Sequence, residues 1–334
     1  MSTSGPDALT LGSVGESEVL RRIFPRLPES DQTLVGPGDD AAVLRAPDGC
    51  FVVTTDTMVH GPDFRLAWST PHDLGWKAAA TNLSDVAAMG AVPTALVVAL
   101  TAPVDTPVEV LEGIADGLRD ACERLAPGCG VVGGDLSVSP TLTLAVTAFG
   151  DLEDRAPVLR SGARVGDVVA VCGELGLAGR GLALLFSDGV DAEGEPDAER
   201  AAAVRSQHRE LVDAQLAPSP PIAEGRAAGI AGATSMLDVS DGVLLDSRRV
   251  AAASGGAIDF DSSAIDTTPE LVHAALTGGE DHAMLATFPP DAAMPEGFRT
   301  IGRVVEGSGV SVDGVPVDER GGWDPYADWN GAAG

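Results

Sequence analysis

Lysine is almost absent from this chain of 334 residues: Lys77 is the single lysine, and arginine takes its place elsewhere. The chain therefore lacks a Walker A motif, because Lys77 follows Leu-Gly-Trp rather than a phosphate-binding glycine loop. It also lacks the strand lysine with which protein kinases hold ATP. If the protein binds phosphate, metal ions, backbone N–H groups and arginine must neutralise the phosphate charge.

Aromatic residues are scarce as well, at 4% of the chain, so the cores must be built from Ala, Val and Leu. No apolar run of about 18 residues is present, which argues against a membrane-spanning helix. The first residues contain neither the basic nor the apolar segment of a signal peptide. We therefore expect a cytoplasmic protein without a membrane partner.

The four cysteines form no CxxC pair, and no cluster of cysteine and histidine has the spacing of a zinc site. They are Cys50, Cys122, Cys129 and Cys172. The sequence predicts buried free thiols in a reducing compartment, rather than disulfides or a structural metal.

Negative charge is abundant, with 50 acidic residues against 21 basic ones, a net charge of −29 and a pI of about 4.2. This charge argues against nucleic acid and anionic membrane surfaces as partners. Nucleotide substrates are also anionic, so divalent cations must mediate their binding. Coding bias or salt adaptation is an alternative explanation for the acidic surface, although it does not explain the motifs below.

Aspartate recurs in short motifs beside Gly, Asn, Ser and Thr. The five motifs are GPGDD (36–40), TTDT (54–57), NLSD (82–85), GGD (133–135) and DVSDG (238–242). The small neighbours let backbone and ligand approach closely, and carboxylates are the hard oxygen ligands that Mg²⁺ takes. A single Asp-Gly or Asp-Asp pair is more often a turn. Together the motifs predict several Mg²⁺ ions and phosphoryl transfer from a nucleotide.

Hydrophobic periodicity predicts an α/β (α+β) fold in two domains, each a mixed sheet packed with helices. Residues 1–150 form the N-terminal domain, which carries most metal and ATP motifs, and residues 151–334 form the C-terminal domain. In the first domain the predicted helices are 16–27, 70–89 and 108–125, and the strands are 41–44, 50–55, 95–100, 130–132 and 142–149. The GGD motif is predicted to be a turn after a strand.

In the second domain the predicted helices are 175–187, 199–216 and 220–229, together with one that follows DVSDG. The predicted strands are 168–172, 235–239, 257–260, 282–287 and 299–304, and a hairpin is expected around Asp313-Gly314. The acidic segment 187–199 is expected to be a loop.

The ordered set of motifs resembles the thiamine-monophosphate kinase family, within the superfamily of aminoimidazole ribonucleotide synthetase. It comprises GPGDDAAV, TTDTMV, NLSDVAAMGA, GGD, LRSGARVGD, DVSDG, GGED and a late GWD, and spans roughly residues 12–329. The resemblance implies the two-domain architecture of that superfamily. It implies direct transfer of the γ-phosphoryl group of ATP onto thiamine phosphate with several Mg²⁺ ions, and a homodimer formed through the sheets of the N-terminal halves.

The resemblance also implies roles for individual residues. The metal positions are Asp40, Thr54, Thr55, Asp56, Asp85, Asp135, Asp238 and Asp241. The catalytic positions are Asp40, Asp56, Asp85, Asp135 and Asp241. The nucleotide contacts are Gly134, Asp135, Arg160 and Ser240, and the thiamine contacts are Asp63, Glu280 and Trp323. An indole can stack on a cationic thiazolium, and carboxylates favour a positive heterocycle.

Two alternatives stay open from the sequence. The first is another ATP-using member of the superfamily, similar to selenophosphate synthetase or to aminoimidazole ribonucleotide synthetase. The former needs a reactive Cys or selenocysteine in an N-terminal loop, and no cysteine precedes Cys50. The second is a non-catalytic, acidic metal-binding protein, for which no EF-hand loop is present.

Overall fold

A computed structural model describes residues 9–14, 16–35, 43–266 and 268–322. The helices are α1 Leu11–Val14, α2 Glu16–Ile23, α3 Pro71–Ala88, α4 Val108–Leu125, α5 Leu177–Asp188, α6 Ala198–Gln207, α7 Arg209–Leu216, α8 Ile222–Ile230, α9 Val243–Ser254, α10 Ser262–Ile265 and α11 Pro269–Thr277. The strands are β1 Thr33–Val35, β2 Val43–Leu44, β3 Val52–Val59, β4 Val92–Ala102, β5 Gly130–Val138, β6 Thr143–Asp151, β7 Val168–Cys172, β8 Ser235–Val239, β9 Ala257–Phe260, β10 Ala283–Phe288, β11 Arg299–Val305, β12 Gly309–Val312 and β13 Val315–Pro316.

The N-terminal half contains a four-stranded sheet of order β3-β6-β4-β5, in which only β4 and β5 are parallel neighbours. Strand β6 alternates between buried and half-buried residues, because every second side chain faces helix α3. The opposite face, which we call the outer face, includes the exposed residues Val53 and Ala99. The two edge strands of this sheet are β3 and β5.

Helix α3 is the central element of the fold. Thr70 caps its start in a reciprocal capping box with Asp73, and Pro71 occupies its first turn. Gly75 lets α4 approach at backbone distance, since a Cβ there would lie 1.9 Å from the carbonyl oxygen of Ile114. Gly75 thus allows the two helices to pack closely. Because α3 also contacts β8 and α8, it lies between the two main sheets.

The second half is built around a seven-stranded sheet of order β13-β12-β9-β11-β7-β10-β8. Only β12 and β9 pair in parallel among these strands. Every residue of β8 and β10 is buried, because α3 and α8 pack on one side of this region and α9 on the other. Strand β8 therefore brings the DVSDG motif directly against α3.

The predicted α/β fold is confirmed, with two mixed sheets packed by helices. The predicted ranges of α4, β7, β8 and β9 agree with the structure residue by residue. The predicted helix 199–216 is wrong in one respect, because it breaks at His208 into α6 and α7. The division into domains at residue 150 stays a prediction, since one buried cluster includes side chains from both sheets.

Two further corrections concern motifs and thiols. The GGD motif lies inside β5 rather than in a turn after a strand, because pairing with β4 continues to Val138. All four cysteines are free, but the prediction that they are buried is wrong for Cys50, which is exposed next to the turn at Gly49. Within the described ranges, no helix is long and apolar enough to cross a membrane.

Candidate active site

Carboxylates from three elements meet where α3 lies between the sheets. Asp56 comes from β3, Asp85 from α3 and Asp238 from the end of β8. Thr54 donates a hydrogen bond to Oδ2 of Asp85 at 2.9 Å. Burial raises the pKa of Asp85 to about 7, and the negative charges of Asp238 and Asp56 add to this shift. We call these three aspartates the acidic cluster.

Burial is also the main cause of a raised pKa at Asp56, to which Asp238 and Glu280 add. Like charges brought together in this way disfavour full ionisation. A divalent cation reverses that effect, because it favours the charged form of each carboxylate. The acidic cluster therefore has the electrostatic character of a cation site.

His282 borders the acidic cluster and was not predicted from the sequence. Its Nδ1 lies 3.0 Å from Oδ2 of Asp238, and both side chains are buried. Burial alone would lower the pKa of His282, but its hydrogen bond and attraction to Asp238 outweigh burial and raise the pKa. Its buried Nε2 has no hydrogen-bond partner among the described residues. The ring nitrogen on the side away from Asp238 can therefore still form a hydrogen bond.

The two described residues predicted to contact thiamine lie beside the acidic cluster. Asp63 accepts a hydrogen bond from the backbone N–H of Val59 at 2.6 Å. Glu280 forms an ion pair with Lys77, with 2.5 Å between Oε2 and Nζ. Burial raises the pKa of Asp63, and the charge of Glu280 adds to this effect. The structure therefore brings Asp63 and Glu280 into one electrostatic environment.

Lys77 makes Glu280 different from its acidic neighbours. Burial opposes the charge on Glu280, but the attraction of Lys77 outweighs it and lowers the pKa of this carboxyl. The Glu280 side chain retains 37% of its exposure, whereas the Lys77 side chain retains 7%. Glu280 is thus an ionised carboxylate that is open to a ligand on one side and held by a buried ammonium on the other.

The DVSDG loop extends this site toward α9. Asp241 pairs with Arg249 at 2.6 Å, and its backbone N–H donates to Oδ2 of Asp246 at 3.0 Å. Burial raises the pKa of Asp246 to about 7, although Arg249 opposes the shift. Asp246 was also missed from the sequence, where it reads as an ordinary acid in the first turn of a helix. Ser240 accepts the backbone N–H of Glu280 through its carbonyl oxygen at 2.8 Å.

Thr55 and Asp135 lie on the outer face of the four-stranded sheet. Thr55 donates to the carbonyl oxygen of Val146 at 2.9 Å and lies 3.2 Å from Oγ1 of Thr147. Asp135 is exposed on β5 and pairs in register with Ala99. Two strands separate β5 from β3, which corresponds to about 14 Å between the strand axes. Within one chain, the structure does not bring Asp135 together with the acidic cluster.

The nucleotide residues predicted from the other motifs occupy separate places. Gly134 allows β5 to approach β4, since a Cβ there would lie 2.1 Å from the carbonyl oxygen of Val98. Arg160 is exposed in a 3₁₀ turn, and its carbonyl oxygen accepts from Oγ of Ser254 at 2.9 Å. Its two sequence neighbours line a surface cavity of about 570 Å³. The predicted Asp40 and Trp323 lie outside the described residues.

The acidic cluster fits cations that share their coordination with substrate. In the part of the chain that the structure describes, no group of three or more Asp, Glu, His or Cys residues forms a ready-made metal site. Mg²⁺ usually takes one or two carboxylates and completes its octahedron with water and phosphate oxygens. The raised pKa values and the unpartnered Nε2 of His282 are consistent with a site that is completed by cation and phosphate together.

The chain is similar to known proteins along nearly its whole length. Residues 38–152 match the model of the AIR synthase related protein, N-terminal domain. Thiamine-monophosphate kinase of Mycobacterium tuberculosis (strain CDC 1551 / Oshkosh) is 42% identical over 342 residues, which cover 98% of this chain and 94% of that protein.

Solved structures show the same similarity. Thiamine-monophosphate kinase from Stenotrophomonas maltophilia K279a superposes with a TM-score of 0.75 at 30% identity, covering 90% of this chain and 97% of that one. AaThiL complexed with AMPPCP and TMP superposes with a TM-score of 0.71 at 31% identity, covering 93% of this chain and 96% of that one.

Proposed function

The chain belongs to the thiamine-monophosphate kinase family, and from this premise we propose that it phosphorylates thiamine phosphate to thiamine diphosphate with ATP as the donor. The observation that carries the proposal is that two groups of carboxylates lie next to each other. The acidic cluster offers hard oxygen ligands for cation-bound phosphate, and Asp63 and Glu280 beside it favour a positively charged heterocycle. Thiamine phosphate combines both features in one molecule.

The reaction is a direct displacement at phosphorus. A phosphate oxygen of thiamine phosphate bonds to the γ-phosphorus of ATP while the bond from that phosphorus to the β,γ-bridging oxygen breaks. Thiamine diphosphate and ADP result, and no phosphoenzyme is formed. Positioning and charge neutralisation provide most of the catalysis in such transfers. We propose that Asp63 and Glu280 contact the thiamine heterocycle. The resemblance to the family adds Trp323 as a third contact.

We propose Mg²⁺ as the resident cation, and several ions for each site. The residues that would hold it are Asp40, Thr54, Thr55, Asp56, Asp85, Asp135, Asp238 and Asp241. Bound Mg²⁺ supplies neutralisation of phosphate charge, which the chain's single lysine does not provide for both nucleotide and acceptor. Thr54 supports this role by donating to Asp85, which leaves the other oxygen of that carboxylate available.

We propose a homodimer that is formed through the outer face of the four-stranded sheet. The proposal is supported by apolar side chains on that face, where Val53 is 54% exposed and Ala99 is exposed too. Asp135 lies on this face, so a dimer would bring it close to a second chain, whereas one chain alone keeps Asp135 apart from Asp56. We further propose a cytoplasmic location, where ATP is supplied, and two domains divided near residue 150.

The acceptor test is a comparison of thiamine phosphate with free thiamine. We expect rapid ADP release with thiamine phosphate and almost none with thiamine, because the attacking group must itself be a phosphate that enters the acidic cluster. The measurement is steady-state ADP formation by the purified protein with each acceptor at matched concentrations. Equal turnover of both acceptors, or turnover of neither, would contradict the proposed function.

A further inference from the structure

The single lysine of the chain is buried directly beneath the proposed acceptor site. Lys77 lies on α3, and besides its ion pair with Glu280 its Nζ donates to the backbone carbonyl oxygen of Gln215 at 3.0 Å. Burying an ammonium costs free energy unless the charge is paired and hydrogen-bonded. Lysine offers a compact charge with three rotatable donors, whereas arginine presents a planar fork. The ion pair and the hydrogen bond of Lys77 provide the compensation that its buried charge needs.

Gln215 and the first turn of α5 complete a network around Lys77. With the Gln215 amide oriented to satisfy both neighbours, its oxygen accepts from Nζ of Lys77 at 3.1 Å and its nitrogen donates to the carbonyl oxygen of Ala178 at 3.2 Å. The backbone N–H of Ala178 donates in turn to Oδ1 of Asp281 at 2.8 Å. Asp281 follows Glu280 in the chain, so Lys77 is connected to this loop both directly and through α5.

The loop that carries Glu280 has an unusual backbone. Glu280 has a φ of +69° and His282 a φ of +52°, which are left-handed values that strain the backbone of a non-glycine residue. The N–H of Glu280 donates to Ser240 at 2.8 Å and that of His282 donates to Val239 at 2.9 Å. Such strain persists only where surrounding contacts over-determine the conformation. The loop is therefore held in one shape before any ligand arrives.

We propose that Lys77 is a positioning residue for thiamine phosphate, because its ammonium fixes one carboxylate oxygen of Glu280 and leaves the second oxygen to face the positively charged heterocycle of the acceptor. This inference rests on the proposed function, since it takes Glu280 as an acceptor contact. Lys77 acts through Glu280 and does not touch the reacting phosphates. It is expected to govern affinity for the acceptor and to have little effect on ATP.

Another ion pair on α3 provides a matched control. Arg205 binds both oxygens of Asp73 at the start of α3, at 2.7 Å and 3.0 Å, and Asp73 is as buried as Lys77. This pair joins α3 to α6 and makes no contact with the loop at Glu280. Arg205 also pairs with Asp213 of α7 at 2.7 Å, so Arg205→Met removes two ion pairs around the start of α3 and retains the ion pair between Lys77 and Glu280.

The kinetic test uses Lys77→Met, which retains chain length and loses the charge. We expect the KM for thiamine phosphate to rise roughly tenfold, which is about 1.4 kcal/mol of binding, while the KM for ATP changes less than about twofold. Arg205→Met is expected to lower the melting temperature and leave both KM values near those of the parent. If the parent protein shows no turnover, the proposed function has failed. If the parent is active but Lys77→Met changes neither KM, or changes the KM for thiamine phosphate and the KM for ATP equally, only the inference about Lys77 is overturned.

A second measurement needs no Lys77 variant, and therefore also decides the case in which Lys77→Met does not fold. Lysine labelled with ¹³C at Cε gives a single protein signal, because the chain has one lysine. We expect saturating thiamine phosphate, with binding verified by calorimetry, to shift this signal, and Glu280→Gln to abolish the shift. A signal that stays unchanged while thiamine phosphate binds would overturn the proposal.

Discussion

At the scale of single residues, Asp85 carries a charge that burial makes unfavourable in the folded protein. It accepts a hydrogen bond from Thr54, yet burial and two neighbouring aspartates raise its pKa to about 7. At neutral pH the metal-free protein therefore holds a carboxylate that would be more easily ionised in the unfolded chain. The same charge becomes favourable when a cation occupies the cluster.

Asp85→Asn is expected to separate these two effects. The substitution retains the shape and removes the charge, so the metal-free protein should gain stability on the order of 1–3 kcal/mol. The kcat should fall roughly 10²-fold or more, because a ligand of the proposed cation that neutralises transition-state charge is lost. Thermal melting in chelator and steady-state kinetics in Mg²⁺ measure the two quantities. A variant with parental kcat would remove Asp85 from the catalytic set.

The residues that the sequence could not identify share one property. His282, Asp246 and Lys77 belong to the site through partners far away in the chain, and their local patterns carry no signal of those partners. Asp56, Asp85 and Asp238 were predicted, because each lies in a short motif with small or hydroxyl-bearing neighbours that matches the family. The rarity of lysine was visible in the sequence, but it served only to exclude nucleotide motifs and was not connected with Glu280.

At the scale of secondary-structure elements, β5 shows where local patterns mislead. Consecutive glycines are typical of turns, so the GGD motif was predicted to follow the strand. Parallel pairing with β4 instead carries the strand through the motif, and the glycine at 134 allows this close pairing. In contrast, α3 was predicted well, because Thr70, Pro71 and Gly90 mark its ends with local chemistry.

The two glycines of this motif are expected to differ sharply in their tolerance of a methyl group. At Gly134 a Cβ would lie 2.1 Å from the backbone oxygen of Val98, whereas at Gly133 it would meet no atom within 4 Å. Gly134→Ala should therefore destabilise the protein by roughly 2 kcal/mol or more. Gly133→Ala should be neutral or slightly stabilising, since it restricts the unfolded chain. Urea unfolding of both variants measures the difference, and similar midpoints would contradict the described register of β4 and β5.

At the scale of the whole molecule, buried carboxylates couple stability to pH and to cations. Burial raises the pKa of Asp85 and Asp246 to about 7 and that of Asp281 to about 6. The folded protein then binds protons more tightly than the unfolded chain, so the stabilisation from these groups is complete at low pH. It is lost as pH rises through about 6 to 7.

The metal-free protein is accordingly expected to melt at lower temperature as the pH is raised from 5 to 8. Mg²⁺ should restore the melting temperature at pH 8 more than at pH 5, because ionised carboxylates bind the cation. Activity should vanish in chelator and should increase with Mg²⁺ beyond the amount that saturates ATP. The measurement is thermal melting across this pH range, with and without Mg²⁺. A melting temperature that does not change with pH in chelator would contradict the raised pKa values of these carboxyl groups.

The outer face of the four-stranded sheet predicts the state of assembly. Val53→Arg places a charge on that face and should convert a dimer into a monomer, whose mass light scattering would report. The residue is 54% exposed within one chain, so the substitution should leave the folding of each chain intact. A parent protein that is monomeric at micromolar concentration would rule out the proposed dimer.

A protease that cuts only after lysine has a single target in this chain, the peptide bond between Lys77 and Ala78. That bond lies in the middle of α3, where the flanking residues are buried between the two sheets. Cleavage needs several residues of extended backbone, so it requires the central helix to unravel. The rate of this one cleavage would therefore report how often the whole molecule unfolds. Local fraying at the surface would leave the cleavage rate unchanged.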